Sequence, residues 1–115
     1  MPGAALKSLD QVWTVKEGEA RLQHRIITVA RLHGWRFVYH THDSRRSQPG
    51  FPDLILLRYG PGFGECRGMA IEVKTERGKV SPTQEAWLEA FALVPGFQSF
   101  VARPSNFVEL ERRLR

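Results

Sequence analysis

The chain has 115 residues, 42% hydrophobic and 25% charged, the mix of one globular domain. Its formal net charge of +5 and pI near 10 favour polyanionic partners, nucleic acid included. The lone Cys66 excludes an internal disulfide, no Cys/His cluster has zinc-site spacing, and no apolar run approaches the ~20 residues that cross a bilayer.

The N-terminus MPGAALKSLDQVW has neither the charged start nor the long apolar stretch of a secretory signal, so a soluble intracellular protein is expected, in a bacterial cytoplasm or a virus-infected cell. Residues 1–13 have weak periodicity and are expected to form a flexible arm, leaving 14–115 as one domain without repeats or linkers. Thr14-Val15-Lys16-Glu17 fits a capping box, and Leu22, Ile26, Ile27 and Ala30 then recur at helical spacing as far as about His33, where Gly34 supplies a stop. WRFVYHT (35–41) is aromatic and β-branched and predicts a strand; HDSRRSQPGFP (42–52) predicts a loop. DLILLRY (53–59) predicts a strand buried on both faces, GPGFGECRG (60–68) a glycine-rich turn, and MAIEVK (69–74) a third strand. Ser81-Pro82-Thr83-Gln84 is a strong helix start with Trp87, Leu88 and Phe91 on its buried side, and Gly96 ends this element. FQSFVA (97–102) predicts a fourth strand. Pro104 breaks it, and Ser105 is placed to cap a terminal helix carrying Phe107, Val108, Leu110 and Leu114. The order α-β-β-β-α-β-α implies an α/β fold, a mixed four-stranded sheet flanked by helices. Trp35, Phe37, Trp87, Phe91 and Phe97 read as core.

The chemistry concentrates in Pro52-Asp53, an 18-residue gap, and Glu72-Val73-Lys74. If the glycine-rich turn closes a hairpin, antiparallel pairing brings Asp53 beside Glu72 and Lys74, and the two-residue period of a strand puts Glu72 and Lys74 on one face. Two adjacent carboxylates repel, and a hard divalent cation removes the conflict. Mg²⁺ takes one or two carboxylates together with waters and substrate phosphate. Such a site suits phosphodiester hydrolysis, with Lys74 orienting the attacking water or stabilising charge on phosphorus, and the Val73 carbonyl as an extra ligand. The same side chains also fit an ordinary ion-paired patch on a solvated strand face.

Ser44, Arg45, Arg46 and Ser47, in the loop that leads into Asp53, offer donors suited to phosphate, and Arg77 and Lys79 are weaker candidates of the same kind. A solvated loop is the plain alternative. His40 and His42 share a face, which fits hydrogen-bonded strand-end histidines better than a metal pair. Glu19 and Gln23, four apart on one helix face, read by themselves as a solvated surface.

Seven strings in chain order resemble the VRR-NUC family of the PD-(D/E)XK nuclease superfamily: EARLQ (19–23), GW (34–35), HDSRRS (42–47), GFPDL (50–54), EVKTERGK (72–79), SPTQ (81–84) and RPSN (103–106). The resemblance spans about residues 17–112 and implies a restriction-endonuclease-like core. It matches Asp53 and Glu72 to the family's metal-binding acids and Lys74 to its catalytic lysine. Glu19 matches an acid on the first helix that reaches the metal, often through water, and Gln84 a glutamine near the active site. Asn106 departs from the family, standing where Asp is common. The resemblance implies Mg²⁺ or Mn²⁺ as cofactor and DNA as substrate, often branched. Stand-alone members look like dimeric enzymes that resolve four-way (Holliday) junctions, so a homodimeric endodeoxyribonuclease is the expectation. Two rivals stand beside it: a DNA-binding module that does not cut, and a nuclease subunit that needs a partner. The complete acid–acid–lysine set argues against the first.

Overall fold

Thr14 starts the first helix, α1 (Val15–Leu32), with the reciprocal cap expected from the sequence. Its hydroxyl accepts from Glu17 N at 3.1 Å, and the Glu17 carboxylate accepts from Thr14 N at 2.9 Å. Two otherwise orphaned amides are satisfied, a cap of the kind that contributes about 1 kcal/mol. Gly34, at φ 86°, turns the chain out of the helix without the steric cost a side chain would meet there. The computed structural model describes residues 14–41 and 47–115, so the expected arm at 1–13 lies outside the described residues. Among those described, no helix is long and apolar enough to cross a membrane.

After α1 come β1 (Phe37–His40), β2 (Leu54–Tyr59), β3 (Cys66–Val73), α2 (Pro82–Ala92), β4 (Phe97–Ala102), a 3₁₀ turn (Pro104–Asn106) and α3 (Phe107–Leu114). This is the predicted order. The strands lie side by side as β1-β2-β3-β4, the first three antiparallel and β4 parallel to β3. A parallel neighbour needs a crossover connection, and α2 provides it.

The third strand starts earlier than the glycine-rich string suggests. Cys66, Arg67 and Gly68 pair with Tyr59, Arg58 and Leu57, so only residues 60–65 make the turn. Gly68 has a packing reason to be glycine: a Cβ there would lie 2.3 Å from the Phe97 ring. Trp35 precedes β1 rather than joining it, and sits 3% exposed in the core with its indole N–H donating to Leu114 O at 2.8 Å.

The two faces of the sheet are covered unequally. α1 and α3 bury one face, where Leu22, Ile26, Leu54, Leu56, Met69, Ile71, Leu110 and Leu114 form a continuous apolar core. On the other face α2 packs chiefly against β4 and β3. Ile55 and Leu57 are therefore half-buried, which corrects the expectation of a β2 strand buried on both sides. Phe37, expected in the core, is 44% exposed on the same open face, beside Tyr39 and Tyr59 at 58% and 68%. Trp87, Phe91 and Phe97 are only half-buried, in a row where Phe91 stacks on Phe97 at 5.4 Å and Phe51 meets Trp87 edge-on at 5.1 Å. α3 buries Phe107, Leu110 and Leu114, but Val108 faces out. Ser105 does not cap α3: it lies inside the 3₁₀ turn, and its amide is taken by the Glu76 carboxylate.

Candidate active site

Leu54 pairs with Ile71, so Asp53, one residue earlier, falls opposite Glu72, as an antiparallel hairpin requires. Asp53 Oδ2 accepts from Val73 N at 2.8 Å, which ties the start of β2 to the end of β3. The N–H and C=O of one strand residue point the same way, so the Val73 carbonyl also faces the Asp53 side. Glu72 is not on a solvated face: it is 3% exposed. Its Oε2 accepts from Gln84 Nε2 at 2.9 Å and lies 3.6 Å from Lys74 Nζ. Its Oε1 is buried with no hydrogen-bond partner among the described residues. Burial, and then the neighbouring Asp53 carboxylate, push the Glu72 pKa up to about 8, with Lys74 pulling against the rise. A buried carboxylate oxygen without a donor is costly. Beside a second carboxylate, it has the chemistry of a hard cation's oxygen ligand.

Glu19 reaches the same neighbourhood from α1. Burial raises its pKa first; Lys74 lowers it, Asp53 raises it, and a hydrogen bond from the Thr75 backbone lowers it. Among the described residues, no three Asp, Glu, His or Cys side chains converge as a metal-binding group. The Asp53–Glu72 pair is thus the nucleus, with Glu19 set further out.

A family model, the VRR-NUC domain, matches residues 5–105. The chain belongs to the VRR-NUC family. A solved structure described as a VRR_NUC domain protein superposes with a TM-score of 0.60 at 19% identity, covering 84% of this chain and 87% of that one, which shows a shared fold. No curated protein matches. The fold is thus of nuclease type.

In this VRR-NUC domain Gln84 does two things at once. Its Oε1 accepts from Ser81 N at 2.8 Å in a complete capping box, and its Nε2 grips Glu72. The cap and the contact to Glu72 coexist because a carboxamide carries an acceptor and a donor. Arg77 and Lys79 sit exposed on the turn after Lys74. Ser47 is half-buried just before the turn closed by Phe51 N and Gln48 O. Ser44, Arg45, Arg46 and His42 lie outside the described residues. His40 Nδ1 is 3.3 Å from Gln23 Nε2, which makes these two a polar contact between α1 and β1.

Sequence reasoning missed what seats the loop that delivers Asp53. Gly50 has φ 84°, and a Cβ there would lie 2.6 Å from the Thr83 carbonyl carbon. The loop thus lies directly on the first turn of α2, while Phe51 packs on Trp87 and Phe91 and Pro52 is fully buried. The only signal was the glycine in GFPDL. Gly50→Ala combines left-handed strain with a clash against backbone, and is expected to destabilise the domain by about 2–4 kcal/mol. Urea unfolding measures it; a midpoint equal to wild type would show that the loop is not held this way.

Proposed function

We propose that the protein is a metal-dependent endodeoxyribonuclease that hydrolyses phosphodiester bonds in branched DNA, four-way junctions in particular. The observation that carries this reading is the buried, unpartnered Oε1 of Glu72 beside Asp53, with the Lys74 ammonium 3.6 Å from the other Glu72 oxygen. Asp53 and Glu72 would hold Mg²⁺ or Mn²⁺, with the Val73 carbonyl and Glu19 as further donors. The bound ion would supply Lewis-acid stabilisation of the phosphodiester and a more acidic water. Lys74 offers a donor to the attacking water or to a phosphate oxygen. Gln84 holds one Glu72 oxygen and leaves Oε1 to take the cation, and Val73 N holds one Asp53 oxygen in the same way. Ser44, Arg45, Arg46, Ser47, Arg77 and Lys79 would position the DNA through its phosphates, without reading sequence.

The decisive experiment incubates labelled four-way junction, flap, single-stranded and duplex DNA with the purified protein in Mg²⁺, Mn²⁺ or EDTA. Metal-dependent cutting with paired nicks across the junction is the expected result. Tight binding without cutting in any metal would favour a non-cutting module or a subunit that needs a partner.

A homodimer would set two such sites against one junction. The open face of β1 and β2 supports it. Phe37, Tyr39 and Tyr59 leave on the order of 300 Å² of aromatic surface in water, taking ~200 Å² per side chain, and Ile55 and Leu57 lie between them. Such a patch would form the apolar centre of an interface, which needs roughly 800 Å² per partner to be stable. Sedimentation at micromolar concentration is expected to give twice the monomer mass, reduced to the monomer by Tyr39→Glu with Tyr59→Glu. A monomeric wild type with unimpaired junction cleavage would overturn this.

A further inference from the structure

The string RPSN at 103–106 takes no direct part in the acid–lysine cluster, yet it is wired to it. Arg103 Nη1 donates to the carbonyls of Thr75 and Gly78, each at 2.7 Å, with Glu76 O further off at 3.2 Å. Asn106 fixes the backbone from which that side chain grows: its Oδ1 accepts from Arg103 N and its Nδ2 donates to Val101 O, both at 2.8 Å. The amide of Ser105 holds the carboxylate of the exposed Glu76. The segment after β4 therefore clasps the turn after β3 from two sides.

That turn begins at the candidate site. Lys74 N donates to Ala102 O at 2.9 Å, so Thr75 is pinned between a backbone bond on one side and the Arg103 grip on the other. Thr75 also lies against α1, its Cγ2 3.9 Å from where a Cβ on Gly18, the residue before Glu19, would stand. Internally, the turn is closed only by Gly78 N to Thr75 O at 3.2 Å, a long bond on an exposed segment. Beyond this bond and that of Lys74 N to Ala102 O, the hold on the turn comes from Arg103 and from Ser105 on Glu76.

We infer that Arg103 is a positioning residue of the proposed cleavage site, acting through the Thr75–Gly78 turn to hold Lys74 against Glu72 and Glu19 toward the acid pair. The inference rests on the nuclease reading. It gives the RPSN string a single mechanical role, in which Asn106 sets Arg103, Arg103 sets the turn, and the turn sets the site. A guanidinium suits it because its planar fork carries several donors.

The test compares wild type, Arg103→Gln, Arg103→Lys and the surface variant Glu76→Ala. Three quantities are read: the single-turnover rate at saturating junction DNA, the affinity for that DNA in EDTA, and amide hydrogen exchange of residues 74–80. Arg103→Gln is expected to slow the rate roughly 10²-fold, the scale of an ångström-level misplacement, with DNA affinity within about threefold of wild type. Arg103→Lys, which keeps a cationic donor, should recover part of the rate. Glu76→Ala, which removes only an exposed contact, should cost a few-fold, and it keeps the comparison usable if Arg103→Gln does not fold. Exchange across 74–80 should rise in Arg103→Gln while protection of β2 and β3 stays at its wild-type level. A wild-type rate with weakened DNA binding would make Arg103 a phosphate contact and overturn the inference. Unchanged exchange in Arg103→Gln would overturn it whether or not the protein cuts. Failure of the wild type to cut in any metal strikes instead at the nuclease reading, through a separate measurement.

Discussion

Lys74→Ala is expected to lower metal-dependent junction cleavage by roughly 10²–10³-fold, the scale of losing one preorganised donor to developing charge, and Asp53→Ala or Glu72→Ala by at least as much. The reasons differ. Lys74 is the cation facing Glu72 at 3.6 Å, and its side chain is only 15% exposed, so its charge acts through little screening water. Asp53 supplies one of two carboxylates and also ties Val73 N, so its removal takes away a ligand and loosens the junction of β2 with β3. Single-turnover rates at saturating DNA, measured beside thermal unfolding, separate these effects. Lys74→Ala should unfold near the wild-type temperature and bind DNA almost as well. Full metal-dependent cleavage by Asp53→Ala and Glu72→Ala together would end the assignment of the site.

The second large effect is a pH dependence of stability centred on Glu72. Its pKa in the folded protein, about 8, stands above the ordinary 4.5, because burial and the Asp53 carboxylate both oppose ionisation. The folded state therefore holds a proton that the unfolded chain has given up between these two values. Its contribution to stability is fully present below about pH 4.5 and is lost as pH rises toward about 8. Without metal, the protein should be less stable at pH 8 than at pH 5.5. Glu72→Gln, which cannot ionise, should lose this slope. It should be more stable than wild type at pH 8 by a few kcal/mol, since each tenfold change in proton affinity is worth ~1.4 kcal/mol and part of the effect is shared with Asp53. Mn²⁺ should reverse the trend, because the ion takes the deprotonated pair. At a concentration 100 times its dissociation constant it should add about 2.7 kcal/mol, with tighter binding at pH 8 than at pH 6. Urea titrations at the two pH values with and without Mn²⁺ decide this. Wild type and Glu72→Gln with the same slope would show that Glu72 ionises normally.

Much of the molecule was legible in the chain itself. The caps at Thr14 and Ser81, the stop at Gly34, and the order of helices and strands rest on interactions within a few residues, which local sequence specifies directly; Gly96, expected to end the crossover helix, instead leads into β4, the helix having stopped at Ala92 with Leu93 as its cap. The hairpin that brings Asp53 to Glu72 followed from the same source: a glycine-rich turn between two apolar runs fixes an antiparallel partner, and the period of a strand fixes which side chains share a face. The seven strings pointed to the VRR-NUC family, and the family model agrees. What only the tertiary structure decided is how these elements shield one another from water. Strand periodicity allowed Glu72 an exposed face; α2 and Gln84 bury it, and that burial shifts its proton affinity and leaves Oε1 without a donor. Phe37 looked like core, but α2 lies mainly over β3 and β4, and Phe37 on β1 is left 44% exposed. Gly50 on Thr83 and Arg103 on the Thr75–Gly78 turn join residues 25 or more positions apart in the chain. No short-range pattern encodes such contacts. They exist because the crossover helix and the fourth strand return to the end of β3, and desolvation there depends on that whole arrangement rather than on any one segment.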